Sequence, residues 1–442
     1  MPDTDPIKHV VVVMFENHSF DQMLGCFKEK YNHLEGCLPG GPFNTNVDKA
    51  GKEFKQVITT EREMEVDPGH CHVDVMAQIR NKNSGFVRNF ENLHPDATER
   101  QKQQIMSFYP RGFLPALHGL AEDFTICDHW FSSMPGPTWP NRFFALTGTC
   151  KGIVDMPEGV KNWSLFDNFD QDTIFDRLNS KGISWRVYYH DMPQSLVLTH
   201  QQRSSNTVRY FPIDQFRRDV EGAEHNFPQF SLIEPCYYGY EENDDHPPHD
   251  VMKAQRLLAD TYNAIRGRED LWHSTLLVVF YDEHGGFYDH VSPPVADPPD
   301  DVRPTFNFNR LGPRVPALLV SPWVDRSVCS TVFDHTSLLK YLGDKWDFPV
   351  LGRRTEKANS IGETIQSFSK PRADTIDRIR FKPNELLDQN DQLAAKGLGH
   401  THNSTLRDFI RYMADKRGLA GIQTLCDASR ATLLKTLFFA TR

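Results

Sequence analysis

Three separate stretches carry side chains that could do chemistry together. The first is Tyr281-Asp282-Glu283-His284-Gly285-Gly286, where two carboxylates and an imidazole follow an apolar run and precede two glycines. The second is Glu16-Asn17-His18-Ser19, again directly after an apolar run. The third is Gly136-Pro137-Thr138-Trp139-Pro140-Asn141-Arg142, a hydroxyl placed just before a proline and a further apolar run. Carboxylate and amide oxygens are hard ligands, the type preferred by calcium, magnesium or manganese and tolerated by zinc. A threonine at the first turn of a helix lies beside amides that favour an anion, and next to a cation its hydroxyl could attack phosphorus. Each stretch also has a plainer reading. Asp282 and Glu283 could be a solvated strand exit, Asn17 or Ser19 the N-cap of a helix beginning near Phe20, and Thr138 a cap with no chemical role. Arg142, one turn after Thr138, could touch the anion, although fixing the helix is its simpler use.

The histidines extend the set. His70 follows the turn Asp67-Pro68-Gly69 and could face an anionic substrate, with His72 structural; the short His-x-His pair is weak evidence for a metal. His190 ends another apolar run, and His246 is held by Pro247 and Pro248. Asp289 and His290 lie just beyond the glycines, where Asp289 could coordinate or could orient a neighbouring histidine.

These side chains need a scaffold that brings them to one place. Residues 10–15 and 276–280 show no alternation of polar and apolar types, which marks strands buried on both faces of a parallel sheet. Open α/β sheets bind ligands at the carboxyl ends of such strands, where Glu16 and Asp282 fall. Residues 124–130, 185–189 and 314–322 supply further strands. Helices are expected from Phe20, over 73–80, up to about 120, from Thr138, over 250–266 with apolar residues at helical spacing, and from the capping sequence at 334–337. The excursion at 33–66 is irregular, and 195–226 is polar and reads as a surface cover outside the sheet. The expected fold is therefore α/β, a central, mostly parallel sheet flanked by helices. One catalytic domain with insertions covers 1–356, and a mostly helical extension covers 357–442. That extension has pieces at 383–396, 404–416 and 431–440, the last suited to packing on a second copy in a homo-oligomer.

The formal charge of -10 and pI near 6.0 argue against a nucleic-acid binder that neutralises phosphates, while leaving room for a small anion in a local pocket. Eight scattered cysteines form no CxxC pair, so neither a thiolate zinc site nor a small disulfide scaffold is indicated. The first residues lack the form of a signal peptide, and no stretch approaches the roughly 18 apolar residues of a membrane span. As it stands the sequence reads as cytoplasmic, with secretion open if a leader was removed.

Together, Glu16-Asn17-His18-Ser19-Phe20-Asp21, Asp67-Pro68-Gly69-His70, the 136–142 stretch, Asp245-His246-Pro247-Pro248 and the block 281–290 resemble the bacterial and plant phosphoesterase family. That family includes non-specific phospholipase C enzymes and certain acid phosphatases, within the alkaline-phosphatase-like superfamily. The resemblance spans roughly residues 8–350. It implies one divalent metal ion (zinc, calcium, magnesium or manganese) held by Glu16, Asn17, Asp282, Glu283 and the nucleophile Thr138. It also implies phosphoryl-contacting histidines at His70 and His246, with His190 placed only by its strand end and its order. His246 is the first choice to protonate the departing alcohol. Asp289 and His290 become supporting residues behind the ligands. His18 and Cys71 stand where many members carry Arg and Ser, which touches pocket shape rather than a ligand. The implied activity is metal-dependent hydrolysis of a phosphate ester, either a small molecule or a phospholipid headgroup. Sulfate-ester or phosphonate hydrolysis on the same scaffold is the enzymatic alternative, and a non-catalytic metal-containing binding protein the other.

Overall fold

The computed structural model describes residues 5–157, 163–237, 242–365, 370–382 and 404–416. Its centre is an eight-stranded sheet. In chain order the strands are β1 (His9–Phe15), β2 (Thr125–Cys127), β3 (Trp185–Tyr189), β4 (Tyr210–Pro212), β5 (Phe230–Glu234), β6 (Thr275–Tyr281), β7 (Ala317–Val320) and β8 (Val328–Cys329). Across the sheet the order is β8-β2-β7-β6-β1-β5-β3-β4. Only β7 runs against the rest, pairing antiparallel with β6 and β2. The sheet is thus mostly parallel, as expected.

Every residue of β1 and β6 is buried, which is why neither strand alternates. The two pair in parallel over their whole length, from His9 with Thr275 to Phe15 with Tyr281. That register brings Glu16-Asn17 level with Asp282-Glu283. β5 lies on the other side of β1, in register from Val10 with Phe230 to Val13 with Ile233. Covering helices include α1 (Phe20–Leu24), α2 (His72–Gln78), α3 (Pro115–Asp123), α4 (Thr138–Thr147), α5 (Val251–Arg266) and α6 (His335–Trp346). Each apolar side chain fully buried between these layers contributes roughly 1.5–3 kcal/mol relative to exposure.

The structure departs from the sequence reading in four places. β5, a central strand, was not expected: its five residues include Ser231 and run into a charged segment, so its apolar signal is short. β4 joins the sheet edge inside the stretch read as a surface cover, pairing with β3 from Val187 with Tyr210 to Tyr189 with Pro212. Residues 124–130 divide into β2 and a separate short strand, Trp130–Phe131, which pairs with Phe333–Asp334. The 314–322 strand shortens to β7 and reverses direction.

The expected boundary after residue 356 falls within a helix, Gly352–Lys357. Beyond it, Ile379 N–H donates to Asn263 Oδ1 at 2.8 Å, so this part of the chain lies along α5. A final helix, α7 (Ser404–Lys416), packs Phe409 and Tyr412 against Phe166, at ring-centroid separations of 5.4 and 5.3 Å. The other two expected helical pieces, at 383–396 and 431–440, lie outside the described residues. Among the described residues no helix is long and apolar enough to cross a membrane.

Candidate active site

The carboxyl ends of β6 and β1 are laced together by backbone and side chain. Asp282 N–H donates to Phe15 O at 3.0 Å, His18 N–H to Glu283 O at 3.1 Å, and Asn17 N–H to Asp282 Oδ1 at 3.2 Å. Asn17 holds a left-handed φ of 62°, a conformation that asparagine tolerates better than most residues. Gly285, at φ +64°, lies so close that a Cβ there would sit 2.0 Å from Asn17 O. Gly286, at φ +75°, would likewise meet Gly69 O at 2.7 Å, which seats the His70 turn against the same loop. Both glycines are therefore required by close approach as well as by conformation.

Thr138 is the first residue of α4, with Pro137 as N-cap. Asn141 shapes the turn before it: its Nδ2 donates to the carbonyls of Gly136 at 2.9 Å and Pro137 at 3.1 Å, and its Oδ1 accepts Met134 N–H at 3.0 Å. Arg142 lies four residues after Thr138 and so on the same face of the helix. Its Nε donates to Asp282 Oδ2 at 3.0 Å, and its Nη2 lies 3.0 Å from Glu16 Oε1. The guanidinium thus spans the two strand-end carboxylates, and α4 is docked over them with Thr138 one turn nearer its N-terminus. Nη1 also donates to the Tyr237 hydroxyl at 3.1 Å, which in turn donates to Glu234 Oε2 at 2.7 Å.

Even with this arginine the pocket is short of positive charge. Burial pushes Asp282 up to about 6 against the pull of Arg142, with Glu283 adding to the rise. Burial also raises Glu16, again against Arg142, with Asp244 and Asp282 adding to it. Among the described residues, buried Asn17 Oδ1, Glu283 Oε1, Asp244 Oδ2 and Asp245 Oδ1 receive no hydrogen bond. Oxygen atoms left in that state are costly to bury. Asn17 Oδ1 and Glu283 Oε1 are hard oxygens of the type that a divalent cation takes, although Glu16, Asp282 and Glu283 are not among the groups of described side chains close enough to share one.

The histidines divide. His70 and His246 meet edge to face, with ring centroids 5.7 Å apart. Each donates from Nδ1 to a backbone carbonyl, His70 to Pro68 at 2.9 Å and His246 to Pro247 at 2.6 Å, which orients the two rings. Burial disfavours a charged His70, but Asp67, Glu283, the Pro68 carbonyl and Asp282 outweigh it and raise its pKa to about 9. His190 lies elsewhere on the sheet edge: its Nδ1 donates to Glu234 O at 3.1 Å, and the carboxylates acting on it are Asp214 and Asp260. Among the described residues it makes no hydrogen bond to Glu16, Asn17, Thr138, Asp282 or Glu283. His72 N–H donates to Asp155 Oδ1 at 2.6 Å, and its ring donates to Pro135 O just before the Thr138 turn.

Asp289 and His290 belong to a network around the buried Arg314. Arg314, fully buried, donates to Asp289 Oδ1 at 2.8 Å and to Asp21 Oδ1 at 2.9 Å. His290 Nδ1 lies 2.8 Å from Asp21 Oδ2. This network ties α1, which follows Glu16 and Asn17, to the loop that follows Asp282 and Glu283. The residues that sequence reasoning missed are Gln194, Glu234, Tyr237 and Asp244. Glu234 ends a strand, as Glu16 and Asp282 do, and that signal could have found it. Gln194 offers none.

Three groups of described side chains are close enough to share a metal ion: Asp67-His70-His246, Asp21-Asp289-His290 and Asp172-Asp176-His200. The second already contains the Arg314 charge. The third is partly taken up in capping the helix Ile174–Ser180.

The family model described as "Phosphoesterase family" matches residues 7–349. Non-specific phospholipase C3 of Arabidopsis thaliana is 32% identical over 405 residues, covering 84% of this chain and 75% of its own. Phospholipase C B of Mycobacterium tuberculosis is 27% identical over 417 residues, covering 82% and 78%. Among solved structures, the phosphonate monoester hydrolase of Agrobacterium radiobacter aligns with a TM-score of 0.36 at 9% identity, covering 81% and 77%. Glu16-Asn17, the 136–142 turn and the 281–290 block all lie inside the matched span, and the chain belongs to the phosphoesterase family of phosphoric-ester hydrolases.

Proposed function

We propose that the chain cleaves phosphodiesters in the manner of a phospholipase C, with Thr138 as nucleophile and one divalent cation held by Glu16, Asn17, Asp282, Glu283 and the Thr138 hydroxyl. What supports this reading is the pairing of Arg142 with Glu16 and Asp282, which docks the helix that begins at Thr138 on the ends of β1 and β6, where buried Asn17 Oδ1 and Glu283 Oε1 receive no hydrogen bond among the described residues. The relatives named phospholipase C support a diester substrate. A cation bound there supplies positive charge for the phosphoryl oxygens and lowers the pKa of the threonine hydroxyl.

The residues of the chain do the remaining work. Thr138, deprotonated, attacks phosphorus, forming the Oγ–P bond as the bond to the leaving alcohol breaks. His246 Nε2 gives its proton to that alcohol. His70, positively charged below about pH 9, offsets charge on the phosphoryl oxygens. Water then attacks phosphorus, passing a proton to His246, and the Thr138–phosphorus bond breaks to release a monoester. Arg142 orients Glu16 and Asp282 rather than meeting the substrate, and His190 serves the sheet edge instead of the phosphoryl group.

The test compares a phospholipid vesicle, a soluble phosphodiester, a phosphomonoester and a sulfate ester, using wild-type protein and Thr138→Ala in added Mn2+. The expected order puts the diesters first, with Thr138→Ala lowering turnover by at least about 10³-fold. Faster sulfate-ester hydrolysis would overturn the substrate class. Near wild-type turnover by the alanine variant would overturn the nucleophile.

A further inference from the structure

Gln194 lies in the 3-10 turn Gln194–Val197 after β3, in a stretch where the sequence shows no chemical motif. It is only 5% exposed. Its side-chain amide makes two hydrogen bonds to residues far apart in sequence. Oε1 accepts the indole N–H of Trp139 at 3.1 Å, and Nε2 donates to Glu16 Oε1 at 2.5 Å. The amide has one workable orientation, because indole Nε1 only donates. Its backbone is pinned as well: Gln194 N–H donates to Glu234 Oε2 at 3.3 Å and Ser195 N–H to Glu234 Oε1 at 3.0 Å.

Each end of this bridge adjoins a reacting part. Trp139 immediately follows Thr138 and is buried against Phe143, Phe166, Phe169 and Phe409. Glu16 Oε1 accepts the Gln194 Nε2 hydrogen bond, and Arg142 Nη2 pairs with the same oxygen at 3.0 Å. Among the described residues no hydrogen bond reaches its Oε2.

Resting on the metal-ligand reading above, we propose that Gln194 is a positioning residue. Its amide ties the start of the nucleophile's helix to the ligand carboxylate, so that the Thr138 hydroxyl and Glu16 Oε2 hold one fixed separation. Groups that orient metal ligands in this way typically account for 10–100-fold in metal affinity.

The experiment measures Mn2+ affinity of the full chain, stripped of metal, by electron paramagnetic resonance titration. Wild type is compared with Gln194→Leu, Trp139→Phe, the double variant and Glu16→Gln, with unfolding temperature recorded for each. Gln194→Leu is expected to weaken Mn2+ binding about 10-fold. Trp139→Phe, which removes only the indole N–H and a ring's width, is expected to weaken it less. The double variant is expected to bind no more weakly than Gln194→Leu, because the second change acts through the same amide. Wild-type affinity in Gln194→Leu beside weakened Glu16→Gln overturns the positioning role, as do single losses that multiply in the double variant. Unchanged affinity in Glu16→Gln overturns the metal-ligand reading itself. If Gln194→Leu does not fold, Trp139→Phe decides: weakened Mn2+ binding supports the bridge and unchanged binding overturns it.

Discussion

Replacing Gly285 with alanine tests how closely the two strand-end loops are interlocked. Two costs add. The backbone there has φ +64°, which costs a residue bearing a Cβ roughly 1–2 kcal/mol. The new Cβ would also sit 2.0 Å from Asn17 O, whereas ordinary contact begins near 3.4 Å, so the loops must part by more than 1 Å. Overpacking of that kind costs about 1–3 kcal/mol, for a total of about 2–5 kcal/mol. Gly112 is the control, with φ +88° and nothing within 4 Å of its virtual Cβ. Gly112→Ala carries only the conformational part, and the loss of unfolded-state freedom is common to both variants. Thermal unfolding of the metal-stripped protein should rank wild type above Gly112→Ala and Gly112→Ala clearly above Gly285→Ala. Mn2+ affinity should fall only in Gly285→Ala, because only that change displaces Asn17. Equal unfolding temperatures for the two variants, with equal Mn2+ affinities, would refute the interlocked geometry.

Two further perturbations address groups behind and beside the ligands. Arg314→Met should destabilise the protein by about 3–5 kcal/mol, because Asp21 and Asp289 would be left buried without their cation; denaturant unfolding at pH 7 reads this, and a loss below about 1 kcal/mol would contradict it. Asp67→Asn should move the alkaline limb of the kcat/KM profile to lower pH. His70 is cationic below about pH 9 partly because of Asp67, and its charge is lost as pH rises through its pKa, so removing Asp67 lowers the pH of that loss. An unmoved alkaline limb would separate His70 from the reaction.

Much of the site was legible because strands buried on both faces leave an unmistakable run of apolar residues. Such runs placed Glu16, Asn17, Asp282 and Glu283 at strand ends, and the register of β1 with β6 makes them neighbours. Thr138 was legible from the proline two residues later, which suits a helix's first turn. What escaped is what depends on lateral order in the sheet. β5 is five residues long and contains a serine, so its place beside β1 left no trace in periodicity, and Glu234 went unnoticed with it. Gln194 acts only through contacts made by folding, and a lone glutamine in a polar loop carries no pattern. His190 was placed by its strand end and order alone; β5 stands between its strand and β1, and its Nδ1 donates to the Glu234 carbonyl at 3.1 Å. The acidic run at 242–245 resembles a solvated face in sequence, but Glu242, Asp244 and Asp245 are buried. The backbone carbonyl of Asp244 accepts Glu16 N–H at 2.8 Å, which folds the run onto the site.

The most direct test of the account is to identify the covalent intermediate. Protein turning over a phosphodiester with a fast leaving group, in Mn2+, is quenched in acid within milliseconds and digested, and its phosphopeptides are sequenced by mass spectrometry. The expected adduct is the substrate's phosphoryl group, still esterified to the alcohol that was not displaced, on Thr138 in the peptide containing Trp139 and Asn141. That adduct on any other side chain, or none on the protein during rapid turnover, would contradict the threonine nucleophile.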